Sequence, residues 1–305
     1  MQEIDGEFVL ESGPAKLPSY YLEELRQQGY TIMEGMLDPV ALQRLKAGAD
    51  EKRARDHAEE PPTDGFFWMT DGLLWSPEVC RAITNPIALW VIQQYLSTDD
   101  IHLCHQPVIT TVKPADELLG TFPELGWHSD YPYHPGVFPD DHFPEDPAFG
   151  VQFNFCIDDF RADNAGTQFV PGSHALCRRP PPEFNEGGTR MGEGVHKDVQ
   201  QFQVPAGSAL IYDSRTWHRA CYELNVSGHD RKAILNAVTP NWVLPMMDKT
   251  DMRDRYHGSE MPSLLTDRER QDVERLCNRA TQPTPEGMPL LSERKKSGPI
   301  RKTGN

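Results

Sequence analysis

The 305-residue chain lacks paired cysteines. Its six, Cys80, Cys104, Cys156, Cys177, Cys221 and Cys277, stand far apart with no C-x-x-C, which argues against a zinc ribbon and offers no disulfide framework. Long apolar runs are also missing. None approaches the ~18 residues that cross a bilayer, and the opening MQEIDGEFVLESGPAK has no basic segment followed by an apolar one. We therefore expect a cytoplasmic protein that neither spans a membrane nor is exported. Positive charge is scarce as well: 30 Lys and Arg oppose 46 Asp and Glu, a formal net charge of −16. Long-range repulsion makes nucleic acid or another polyanion a poor partner.

What is present changes character along the chain. In the front part, YYLEELRQQGY reads as a helix ended by Gly29, and LDPVALQRLKAGADEKRARD restarts one with Asp38 as N-cap and Pro39 in the first turn. A further helix is expected from Asn85-Pro86, where Ile87, Leu89, Ile92 and Tyr95 recur at helical spacing. Between about Ile101 and Val243 the signal becomes short runs of period two, broken by Gly, Pro and Asp. In VQFNFCID, Val151, Phe153, Phe155 and Ile157 fall on one face and Gln152, Asn154, Cys156 and Asp158 on the other. QFVPGSH, GSALIYD and KAILNAV are further strands in this reading. The expected fold is mainly β with flanking helices, built as a sandwich or barrel.

We expect one domain over 1–305, with a mostly helical buttress over 1–100, a β core over 101–245 and a helical extension with a mobile basic tail over 246–305. That extension opens its helix with a capping box, Thr266 and Glu269. Two polar insertions, 132–147 and 178–199, are candidate lids.

Candidate chemistry sits in WHSDYPYH. On a strand, residues two apart point the same way, so His128 and Asp130 would project together as adjacent metal ligands. A further nitrogen would complete a two-histidine, one-carboxylate face with open positions. The candidate is His218 in GSALIYDSRTWHRACYE, ninety residues on, and Arg231 follows it by 13 residues at the start of the next strand. A buried arginine there is suited to clamp a dicarboxylate through two parallel hydrogen bonds.

These segments together resemble the phytanoyl-CoA dioxygenase family of Fe(II)- and 2-oxoglutarate-dependent oxygenases. WHSD matches its H-x-D motif, DNAGTQFVPGSH its Asp/Asn-Gly and PGSH turns, and His218, Asn225, Ser227 and Arg231 its H…N-x-S…R pattern, in the family's order. The opening EELRQQGYTIMEGMLDPVALQRL is similar to its helix, strand and helix. The resemblance implies a double-stranded β-helix of jelly-roll, cupin-like type. Iron would be held by His128, Asp130 and His218, and Arg231 would pair with the distal carboxylate of 2-oxoglutarate. It further implies hydroxylation of an unactivated C–H bond of a small metabolite or natural-product intermediate, using O2 and releasing succinate and CO2. Desaturation, ring rearrangement, epimerisation and a 2-oxoglutarate-independent cupin-type dioxygenation are the alternatives. Halogenating relatives carry a small residue in place of the carboxylate, and Asp130 is intact. The chain departs from many members in having Ala220 two residues after the second histidine, where they have serine.

Other residues carry lesser expectations. Thr111, Gln152 and Asn154 are candidate cosubstrate contacts, although a solvent-facing sheet face would show the same alternation at Gln152 and Asn154. Tyr131 and Tyr133 are candidate substrate contacts. Trp127 and Trp217 are assigned to core packing, His174 to a structural turn, and His134, His142 and His196 to solvated loops.

Overall fold

The computed structural model describes residues 14–56, 66–117, 126–139, 141–186, 191–247 and 251–277. The basic tail lies outside the described residues, as do parts of both insertions. Eleven strands and eight α-helices follow one another among the described residues. The strands are β1 (Tyr30–Met33), β2 (Phe66–Met69), β3 (Ile101–Leu103), β4 (Val108–Val112), β5 (Val151–Cys156), β6 (Gln168–Phe169), β7 (Gln200–Gln201), β8 (Ala209–Asp213), β9 (His218–Arg219), β10 (Arg231–Leu235) and β11 (Ala237–Pro240). The helices are α1 (Pro18–Gln28), α2 (Pro39–Asp56), α3 (Gly72–Trp75), α4 (Pro77–Ile83), α5 (Pro86–Leu96), α6 (Glu183–Glu186), α7 (Met252–His257) and α8 (Asp267–Cys277).

All strand pairs are antiparallel. The major sheet runs β1-β8-β5-β10-β4-β2, with β11 pairing β5 and β3, and the minor sheet runs β7-β6-β9. The front of the chain therefore contributes two strands, β1 and β2, to the major sheet besides its helices. KAILNAV is not one strand but two: β10 ends at Leu235 and β11 begins at Ala237.

Side-chain alternation divides the major sheet into a helix-facing and a sheet-facing surface. From β5, Val151, Phe153 and Phe155 join Ile211, Ile234 and Val238 against Leu22, Leu25, Leu89 and Ile92 of α1 and α5. The opposite face meets the minor sheet through Leu210, Tyr212 and Ala233, packed with Phe169, Phe202 and Phe160. Two sheets facing across a filled interior form the jelly-roll core. Gln152 and Asn154 accordingly point into the space between sheets and are buried.

Local signals set the frame. Gly29 closes α1 in the left-handed conformation at φ 80°, and an added Cβ would fall 2.4 Å from His174 Nδ1. Asp38 caps α2 through the Val40 and Ala41 N–H groups, and Asn85 caps α5 through those of Ile87 and Ala88. Thr266 and Glu269 bond reciprocally at 2.8 and 3.3 Å ahead of α8.

The insertions are packed. In 132–147, the Tyr133 ring lies 4.6 Å from Phe143 and 5.6 Å from Phe138, and Arg179 donates to the carbonyls of Tyr133, His134 and Phe138 and to Asp141. Contrary to the solvated reading, His196 is buried, bonded to the Phe184 carbonyl at 2.9 Å and packed on Trp127. Trp127 and Trp217 share that apolar cluster. His142 is exposed, and His174 bonds the Arg26 carbonyl in α1.

Candidate metal centre

His128 and His218 meet as an antiparallel bridge. Each donates its backbone N–H to the other's carbonyl at 3.1 Å, so the two side chains project from the same side. Asp130 is fixed two residues on, its N–H donating 2.7 Å to the Ser214 carbonyl. The 213–217 turn that receives it is built from within. Arg215 reaches both carboxylate oxygens of the buried Asp213 and two carbonyls of the insertion, Pro144 and Glu145. The Gly29 carbonyl accepts from Asp213 N–H and Thr216 Oγ1. Ser173 of PGSH accepts from Trp217 N–H at 2.9 Å, next to His218.

Among the described residues, His128, Asp130 and His218 form the one trio able to hold a metal ion, with candidate ligand atoms within 4.8 Å of one another. The ring orientations fit that role. His128 Nδ1 meets the Gly126 carbonyl at 2.7 Å, and His218 Nδ1 meets the Thr216 carbonyl at 2.9 Å. A carbonyl only accepts, so both Nδ1 atoms carry hydrogen and both Nε2 atoms keep a lone pair for a metal. Those Nε2 atoms lie 3.7 Å (His128) and 3.1 Å (His218) from the Asp130 carboxylate.

Electrostatics agree with the geometry. Burial, with His218 adding to it, pushes His128 down to about 4, so it is neutral near pH 7. Burial opposes ionisation of Asp130, but His218 and His128 outweigh it and hold the carboxyl well below the usual range. His218 is raised: burial lowers it, and the Asp130 carboxylate more than compensates. A divalent cation at this point would take the neutral imidazoles and the ionised carboxylate in competition with protons.

Two cavities meet at the trio. The inner one, about 170 Å³, runs from His128, Asp130 and His218 past Gln152, Asn154 and Tyr212 to Arg231. Strand parity explains Arg231: with Ala233 and Leu235 it faces the minor sheet, while Lys232 turns outward to Asp50 at 2.8 Å. Arg231 is buried, its Nε donates to the Asn164 carbonyl at 3.1 Å, and its guanidinium lies 4.2 Å from the Phe160 ring centre. Gly166 of the same turn has no room for a side chain, since a Cβ would sit 2.5 Å from the Phe202 carbonyl. The N-x-S segment is a stitch: Asn225 Nδ2 bonds the carbonyls of Val112 and His229, which fixes the approach to β10. Ala220 also lines this cavity.

The outer cavity, about 490 Å³, shares His128, Asp130, Gln152 and Leu235 with the inner one and is otherwise mostly apolar. Two expectations are corrected. Thr111 does not line either cavity; Thr110 does, because Thr110 and Val112 share the inward face of β4. Tyr133 does not reach the outer cavity; it is fully buried, and its hydroxyl accepts from the Phe149 N–H at 2.8 Å. Tyr131 does line it, with its hydroxyl donating to the Leu244 carbonyl. Sequence reasoning passed over Tyr212 and Thr110, which line the inner cavity, and read His134 as solvated, whereas it is half-buried on the outer cavity's wall.

Comparison with known proteins points the same way. Two uncharacterised proteins, from Mycobacterium bovis and Mycobacterium tuberculosis, are each 32% identical over 98 residues, covering 32% of this chain and 32% of theirs. The dioxygenase hkm4 of Aspergillus hancockii is 27% identical over 123 residues, 40% of this chain and 35% of its own. The chain thus matches about a third of the length of these curated relatives. Among solved structures, the non-haem α-ketoglutarate-dependent epimerase SnoN from nogalamycin biosynthesis superposes with a TM-score of 0.53 at 17% identity, over 75% of this chain and 85% of its own. AviO1 of Streptomyces viridochromogenes Tue57 does so with 0.51 at 20% identity, over 74% and 96%. At these identities the two structures speak for the shared fold. No helix among the described residues is long and apolar enough to cross a membrane. The family model for phytanoyl-CoA dioxygenase matches residues 25–233, and the chain belongs to that family.

Proposed function

We propose that this protein is an Fe(II)- and 2-oxoglutarate-dependent oxygenase that hydroxylates a C–H bond of a small molecule. The observation that carries the reading is the line from the His128, Asp130 and His218 trio through the inner cavity to Arg231. Iron bound there, with 2-oxoglutarate and O2, supplies the oxidising chemistry, with succinate and CO2 as coproducts.

The chain's own residues supply position. His128 and His218 offer Nε2 because backbone carbonyls hold Nδ1, and Asp130 offers a carboxylate that is ionised throughout the working range. Arg231 pairs with the distal carboxylate of the cosubstrate, its guanidinium held by Asn164 and Phe160. Gln152, Asn154 and Thr110 line its path, and Tyr212, beside Asp130 and Asn154, braces the carboxylate. The outer cavity takes the organic substrate against the open side of the trio, with Tyr131 on its wall.

The test is succinate formation from 2-oxoglutarate under air with Fe(II), in wild-type protein and in His218→Ala. Wild-type turnover that the variant loses supports the reading; equal turnover in both overturns it. SnoN, an epimerase of the same fold, makes stereochemical inversion the second reading. Product labelled from ¹⁸O2 means hydroxylation, and unlabelled product means the alternative.

A further inference from the structure

The outer cavity differs in chemistry from what the family's name suggests. Its described lining includes Val108, Trp127, Leu235, Ala237, Met246 and Met247, and no lysine or arginine is among the described residues that form it. Its volume, about 490 Å³, suits a drug-sized organic molecule. The apolar surface continues outward: Trp242, Leu244, Met246 and Met247 remain 44–65% exposed on the segment after β11, which Tyr131 and Cys104 hold by hydrogen bonds to Leu244 and Met246. A polyphosphorylated acyl carrier such as coenzyme A would bring several negative charges to a chain of net charge −16 and to a wall with no described cation to meet them.

One polar side chain in this wall stands out. His134 faces the outer cavity with its ring 6.2 Å from that of His128, and neither ring nitrogen bonds another described residue. Its backbone is held firmly: the His134 carbonyl accepts from Val137 and Phe138 N–H and from Arg179, and the preceding Tyr133 is buried. A hydrogen-bonding ring carried on a firmly held backbone, on an apolar wall beside the reacting position, fixes ligand orientation.

Resting on the oxygenase reading above, we infer that the substrate is a neutral, predominantly apolar small molecule, not a coenzyme A thioester, and that it presents an oxygen to His134. His134 is thus the specificity-determining residue of the outer cavity, and the methionines and Trp127 supply contact area that adapts to the ring or chain system carried there.

Calorimetric titration of the full chain tests this, both as the anaerobic Fe(II)–2-oxoglutarate complex and metal-free. The probes are 4-phenylphenol as neutral apolar alcohol and butyryl-coenzyme A as thioester, in wild type, His134→Gln and His134→Phe. We expect the phenol to bind wild type, to lose about tenfold in affinity in His134→Phe, the size of one hydrogen bond, and to lose no more than about threefold in His134→Gln. The thioester should bind at least tenfold more weakly than the phenol. Tighter binding of the thioester, unchanged phenol affinity in His134→Phe, or no phenol binding to wild type overturns the inference. Phenol binding with the expected variant pattern in protein that never forms an Fe(II)–2-oxoglutarate complex would instead overturn the oxygenase reading and leave the cavity assignment standing.

Discussion

His128 and His218, ninety residues apart in the chain, exchange two backbone hydrogen bonds of 3.1 Å and present their imidazoles side by side. This bridge joins the first residue of β9 to a segment outside the named strands and turns two distant stretches of chain into one ligand face. It also makes the trio a property of the backbone, so metal binding depends on what holds the 213–217 turn as much as on the ligands themselves.

Arg231→Ala should weaken 2-oxoglutarate binding about 10- to 100-fold, the span expected when hydrogen bonds to a charged carboxylate are lost. Arg231→Lys should recover only part of it, because an ammonium lacks the planar fork and the stack on Phe160. Anaerobic titration of the cosubstrate reads both; unchanged affinity in Arg231→Ala would place the clamp elsewhere.

Arg215→Met should cost about 3–5 kcal/mol in urea unfolding, since it strands the buried Asp213 carboxylate. Adding Asp213→Asn should return part of that loss. A change below about 1 kcal/mol for the single variant would show that the pair does not brace the turn.

Gly29→Ala should cost about 1–3 kcal/mol, because φ 80° is unfavourable for alanine and its Cβ would meet His174. Since the Gly29 carbonyl also holds Asp213 and Thr216, divalent-metal affinity should fall together with the melting temperature. Differential scanning calorimetry and a metal titration check the two effects, and a variant as stable as wild type would contradict the account.

Neighbouring aromatic changes should separate by role. Tyr133→Phe removes the acceptor of the half-buried Phe149 N–H and should lose about 1 kcal/mol. His134→Phe, at a cavity wall, should stay within about 0.5 kcal/mol of wild type. Equal losses in urea unfolding would mean that both residues are structural.

Legibility in the sequence followed the range of the interactions. Gly29, the Asp38 and Asn85 caps and the Thr266–Glu269 box were readable because each is settled within a few residues. The alternation of β5 was readable too, but whether Gln152 and Asn154 faced solvent or the interior depended on the minor sheet, which sequence alone does not place. In VITTV both parities mix threonine with apolar residues, so nothing local distinguished Thr110 from Thr111. The 128–130 segment forms only a single bridge at His128, not the expected strand, and turns from Tyr131 on, so counting by twos does not say where Tyr131, Tyr133 and His134 point. His196 is buried by a contact with Trp127, 69 residues earlier, that composition cannot reveal.

The central claim is that one site holds Fe(II) and 2-oxoglutarate together. Its most direct test is anaerobic addition of 2-oxoglutarate to the Fe(II)-loaded full chain, followed by visible absorption. The account predicts a charge-transfer band that saturates at one cosubstrate per iron and is absent in His218→Ala. Folded, iron-loaded wild-type protein that shows no such band would contradict it.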